Sequence, residues 1–151
     1  MDFAIIAETF QKMEATTKRT ELTSLLVELI KNTPNELIAK AVYLLQGILK
    51  PSFEGLELGI AEKLAIRAIA KSSGISVKKI QNEYNIGGDL GNAAANILKL
   101  KTQTTFIAEP ITLERVYETL LKIANLEGKG SQDLKIKHIS SLLNDATPTE
   151  G

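Results

Sequence analysis

The stretch "SQDLKIKHISSLLNDATPTEG" covers residues 131–151, and two readings of it decide the fold. Its first part places Leu134, Ile136, Ile139, Leu142 and Leu143 at helical spacing behind Ser131, a capping residue. Its second part, Thr147-Pro148-Thr149-Glu150, reads as the beginning of another helix. Thr147 can cap, Pro148 suits the first helical position, and Glu150 stands where a capping box needs it. The chain ends one residue later.

Sliding the sequence by 114 residues gives that ending a context. Thr33-Pro34-Asn35-Glu36 falls on Thr147-Pro148-Thr149-Glu150, and Leu22, Leu25 and Leu29 fall on Ile136, Ile139 and Leu143. Thr17 falls on Ser131, both read as caps. Phe3, Ile6, Ala7 and Phe10 fall on Tyr117, Leu120, Leu121 and Ala124. An internal pseudo-repeat is therefore expected, its second copy truncated at the C-terminus. The first copy continues from its Thr-Pro-x-Glu turn into "LIAKAVYLLQGIL". The expectation is a chain cut inside a larger protein, with Gly151 an added residue. The plain alternative is a ragged tail.

Helical period runs through the remainder. Phe3, Ile6, Ala7, Phe10 and Met13 form one stripe, with Asp2 as cap. A second helix carries Leu22, Leu25, Leu26, Leu29 and Ile30, and a third runs from Thr33 through Leu45. "GILKPSFEGLELG" (Gly47–Gly59) is irregular. Further helices are expected from about Ile60 to Ser72, from the Ser76 cap to about Asn85, and after "IGGDLG". Lys101–Ile111 reads as extended, and Thr112 caps a helix with Leu113, Val116, Leu120 and Ile123 inward. No Asn-Gly hairpin joins alternating runs. The fold class is all-α, a multi-helix domain.

Composition narrows the function. No apolar run approaches the ~20 residues that span a bilayer, and no basic-then-apolar signal follows Met1. A cytoplasmic location is expected, with no membrane partner. Cysteine is absent and His138 is the single histidine, which removes disulfides and thiol chemistry and argues against structural zinc. Eighteen basic and 18 acidic residues balance to a net charge of zero, so any nucleic-acid binding must use a local basic face.

No enzyme motif survives inspection. Gly87-Gly88 lacks the Gly-Lys-Ser/Thr of a P-loop. His138 has apolar neighbours that suit a structural role, and Glu54 and Glu57 sit in a loop without further catalytic context. Two features carry more. Glycine-rich turns feed helix starts at Gly87, Gly88 and Gly91 and again at "GKGS", with Lys129, Gly130 and Ser131. Exposed N–H groups at a helix start attract anions, although on local pattern alone plain capping is the favoured reading of such turns. Cations also gather at these starts: Lys18 and Arg19 after Thr17, and Lys129 and Lys135 around Ser131. A cation beside a helix N-terminus is locally unfavourable unless an anion joins it. Two such sites suit an extended polyanion such as duplex nucleic acid, held by phosphate contacts.

Three motifs then carry a family resemblance. "YLLQGILKPSFEGLELGIAEKLAIRAIA" (Tyr43–Ala70), "IGGDLGNAA" (Ile86–Ala94) and "GKGSQDLKIKHISSLLNDATPTE" (Gly128–Glu150) occur in the order seen in ATP-dependent DNA ligases. The chain resembles the N-terminal DNA-binding domain of those ligases, in its archaeal form, over essentially all its residues. Ala61 departs from the glycine common there. The resemblance implies one domain, residues 1–151, without the nucleotidyltransferase and OB domains. It implies binding to nicked double-stranded DNA as part of an enzyme of replication, repair and recombination. The longer protein would use ATP and magnesium and would meet a sliding clamp. This fragment holds no cofactor of its own and lacks the Lys-x-Asp-Gly motif, so it is not expected to ligate. The competing reading is a helical protein–protein interaction scaffold.

Overall fold

The computed structural model describes residues 1–101 and 110–151. The expected extended stretch from Lys101 to Ile111 thus lies largely outside the described residues. Eight α-helices occur among those described: α1 (Phe3–Glu14), α2 (Arg19–Asn32), α3 (Ile38–Leu45), α4 (Glu62–Ser73), α5 (Val77–Gly87), α6 (Leu90–Lys99), α7 (Leu113–Ala124) and α8 (Ser131–Asp145). Short 3-10 turns at Asn35–Leu37 and Ser52–Glu54 complete the order, and the all-α class stands.

Apolar stripes on these helices build two clusters. Ile6, Leu29, Leu37, Ala41 and Leu113 join α1, α2, α3 and α7. Ile66, Ile69, Ile80, Ala94, Ile97, Leu98 and Leu143 join α4, α5, α6 and α8. Small residues bring α4 and α8 together: Ala68 and Ser140 are buried, and the Ser140 hydroxyl donates to the Ala68 carbonyl at 3.2 Å. That bond satisfies a hydroxyl that would otherwise be costly to bury.

The start of α7 follows expectation. Thr112 Oγ1 accepts the Arg115 amide at 3.1 Å, while Leu113, Val116 and Ile123 are buried. Asp2, read as a side-chain cap for α1, makes no such bond. It forms an antiparallel bridge with Thr112 instead, in which the Phe3 amide donates to Ile111 and the Leu113 amide to Met1. The first backbone donors of α1 and α7 thus satisfy each other's flanking segments.

Three further expectations change. The ungapped repeat would start the second-copy helix at Tyr117, yet α7 starts at Leu113; Arg19 would map to Asp133, yet α8 starts at Ser131. The pseudo-repeat is therefore not confirmed in that register. Leu134, expected inward, is exposed. Burial on α8 follows Ile136, Ser140 and Leu143, and a residue two before Ile136 points to the far side of a helix. Thr17 is not the cap of α2: Lys18 holds that position, and the Thr16 hydroxyl accepts the Lys18 amide at 3.2 Å.

The Thr147 turn does form its capping box. The Thr147 amide donates to Glu150 Oε2 at 2.9 Å, and the Glu150 amide to Thr147 Oγ1 at 3.3 Å. The turn packs beside α1 and α6, with Gly151 against Leu98 and Leu143, rather than hanging loose.

Candidate nucleic-acid interface

The start of α8 is shaped by its glycines. Gly128 and Gly130 have φ of +87° and +81°, a left-handed conformation that side chains resist. Gly130 occupies the cap position, no side chain caps the helix, and Ser131 is its first helical residue. Lys129 and Gly130 are exposed there. Lys135, one turn on, is half-buried because its ammonium donates to the Gly59 carbonyl at 3.1 Å. Arg67 of α4 lies 3.8 Å from Asp133 across this corner. The corner thus combines a helix start without a side-chain cap and three cations: Lys129 of the preceding loop, Lys135 of α8 and Arg67 of α4.

The α2 start is the second group. Thr17, Lys18 and Arg19 are all exposed, and no side chain caps this helix either. Glu21 in the first turn accepts from the Thr16 hydroxyl and sits 3.6 Å from the Lys18 ammonium. Arg19 is free of any ion pair among the described residues.

The turn of Gly87, Gly88 and Gly91 is the third. Gly88 has φ +71° and ends α5. Asp89 then caps α6, its carboxylate accepting the Asn92 amide at 2.7 Å. That carboxylate takes the place an anion would fill. Gly91 and Glu14 line one open groove of about 300 Å³. The α8 group is held by α4 and the Gly59 loop.

Sequence reasoning missed Arg67 and Gly59. Arg67 is one of many exposed cations on an amphipathic helix, and only its approach to Asp133 marks it. Ala61 is explained: it is the cap residue of α4 at φ −88°, where alanine is unstrained.

A family described as DNA ligase N terminus matches residues 2–151. The chain belongs to this family of N-terminal domains of archaeal-type, ATP-dependent DNA ligases. It is 69% identical over 150 residues to a DNA ligase of Nitrosopumilus maritimus (strain SCM1), covering 99% of this chain and 26% of that protein. It is 59% identical to a DNA ligase of Cenarchaeum symbiosum (strain A), with the same coverage. A DNA ligase of Thermococcus onnurineus (strain NA1) is 38% identical over 151 residues, with 100% of this chain and 27% of that protein covered. The ligase-family chain therefore spans about a quarter of the length of these relatives. No helix among its described residues is long and apolar enough to cross a membrane.

Proposed function

We propose that this chain binds nicked duplex DNA through phosphate contacts, as the N-terminal domain of a ligase that seals nicks in replication, repair and recombination. The observation that carries the reading is the α8 start: left-handed glycines, no side-chain cap, and Lys129, Lys135 and Arg67 around it. Backbone amides and the positive helix end would meet a phosphate there, and the cations would supply the long-range attraction. Lys18 and Arg19 at the α2 start would hold a second phosphate. Such contacts fix the position of a duplex without reading its sequence.

Catalysis would belong to the longer protein. ATP and magnesium would serve adenylation of a lysine and transfer of AMP to the 5′-phosphate in that longer protein. This chain lacks the Lys-x-Asp-Gly motif, and no three metal-ligating side chains gather among its described residues. The sliding clamp expected of the longer protein is assigned no residue here.

A mobility shift with nicked and intact duplexes tests the reading. Retardation of both, abolished by polyphosphate competitor, is the expected result. No retardation at low salt would favour the protein-interaction scaffold.

A further inference from the structure

We infer that Gly59 is a positioning residue for DNA binding: its carbonyl holds the Lys135 ammonium, charged and without a carboxylate partner, at the start of α8 for a duplex phosphate. The inference deepens the DNA-binding reading above and rests on it. Lys135 donates to the Gly59 carbonyl at 3.1 Å. The lysine stands one turn into α8, and side chains lean toward the N-terminus of their helix, which carries the ammonium back toward the Gly130 start. The kind of partner matters. A carboxylate would neutralise the lysine where it stands, whereas a carbonyl fixes it and leaves the charge. No carboxylate pairs with Lys135 among the described residues, and Asp133, two residues before it, lies 3.8 Å from Arg67 instead. One of the three ammonium donors is used and two are left. A full positive charge is thus held beside the positive end of a helix, an arrangement that an anion relieves.

The close approach singles out the glycine. Gly59 has φ +66°, and a Cβ built on it would lie 2.9 Å from the Lys135 ammonium nitrogen. Gly55, at the other end of the same loop, has φ +64° and nothing within 4 Å of its Cβ position. The backbone asks for glycine at both places, but at Gly59 the approaching ammonium asks for it as well. A side chain there would push the flexible end of the lysine aside, which costs the fold little and moves the charge. The loop itself is anchored. Leu56 and Leu58 are half-buried and line one apolar hollow with Leu44 and Leu120. The carbonyl is therefore presented by a packed segment, and a side chain rich in rotamers is ordered before DNA arrives, which lowers the entropy lost on binding.

The test is equilibrium binding to a fluorescent nicked duplex across a salt series, with melting temperature measured in parallel, for Gly59→Ala and Gly55→Ala. Neither variant changes a charge. Both should lower the melting temperature through the same strained φ, Gly59→Ala somewhat more because it also disturbs the Lys135 bond. Gly59→Ala should weaken binding about three- to tenfold and flatten the slope of log K against log salt by about 0.9, the share of one phosphate contact. Gly55→Ala should keep both the affinity and the slope. Lys135→Met should reproduce the binding loss of Gly59→Ala, and in that background Gly59→Ala should add nothing, because the two act through one ammonium. In the unaltered chain, reductive methylation should modify Lys135 more slowly than Lys129, and bound duplex should protect both. Equal binding by the two glycine variants, additive losses in the double variant, or Lys135 reacting as fast as Lys129 overturns the inference; Arg19→Glu binding weakly in the same assay leaves the DNA-binding reading intact. Absence of DNA binding by the unaltered chain removes that reading, and this inference with it.

Discussion

Lys135 and Gly59 are 76 residues apart in sequence, and the lysine ammonium donates to the glycine carbonyl at 3.1 Å. The bond pins the loop before α4 to the first turns of α8. Replacing Lys135 by methionine keeps the aliphatic stem and removes the donor. It should cost about 1 kcal/mol in urea unfolding, the net worth of a partly exposed charged hydrogen bond. A larger loss would mean that the loop and α8 depend on the bond more than a single interaction allows. Lys135→Glu would test DNA binding less cleanly than Arg19→Glu, because it also disturbs this loop.

Thr112 and Thr17 make a matched pair. Thr112 caps α7 and borders the bridge to Asp2, so Thr112→Ala should cost about 1 kcal/mol, within the usual range for a lost cap. Thr17 is exposed and caps nothing, so Thr17→Ala should stay within about 0.5 kcal/mol of wild type. Chemical denaturation of the two variants checks both. Equal losses would contradict the assignment of Lys18 as the α2 cap residue.

The difference between these threonines shows where the sequence is legible. The period of Leu113, Val116 and Ile123 and the hydroxyl before them locate α7, because burial and capping are both local there. Thr17 is followed by two cations and preceded by Thr16, and the hydroxyl that bonds is the earlier one. Local pattern cannot choose between adjacent hydroxyls. Leu134 was misplaced for a related reason: Ile136 and Ile139 define one face, and an added leucine widens the stripe without revealing which edge meets α4. The glycines at Gly128 and Gly130 were legible as a helix start. The Lys135–Gly59 bond and the approach of Arg67 to Asp133 were not, since they join segments whose proximity only the packing of α4 on α8 creates.

His138 should set a pH dependence of stability. Burial, with the charges of Lys122 and Lys137 nearby, lowers its pKa below the ordinary histidine value. The unfolded chain then takes up a proton at a higher pH than the folded chain does. The stability contributed by neutral His138 is present above the unfolded pKa of about 6.5 and is lost as pH falls through the lower folded value. Melting temperature should therefore decline from pH 7.5 to pH 5.5, and His138→Gln should flatten that decline. A decline of equal size in the variant would assign the effect to other groups.

The central claim, a phosphate-dominated grip on duplex DNA, is tested most directly by affinity as a function of salt. Roughly four to six phosphate contacts should give a slope of about −4 to −5 in log K against log salt. Between 50 and 200 mM salt the affinity should fall by about 10²- to 10³-fold, with Kd near the non-specific range of about 10⁻⁴ to 10⁻⁶ M at physiological salt. Arg19→Glu should lower affinity equally for unrelated sequences and flatten the slope by about one contact or more. A shallow slope in the unaltered chain, or an Arg19→Glu variant that binds as tightly, would contradict the account.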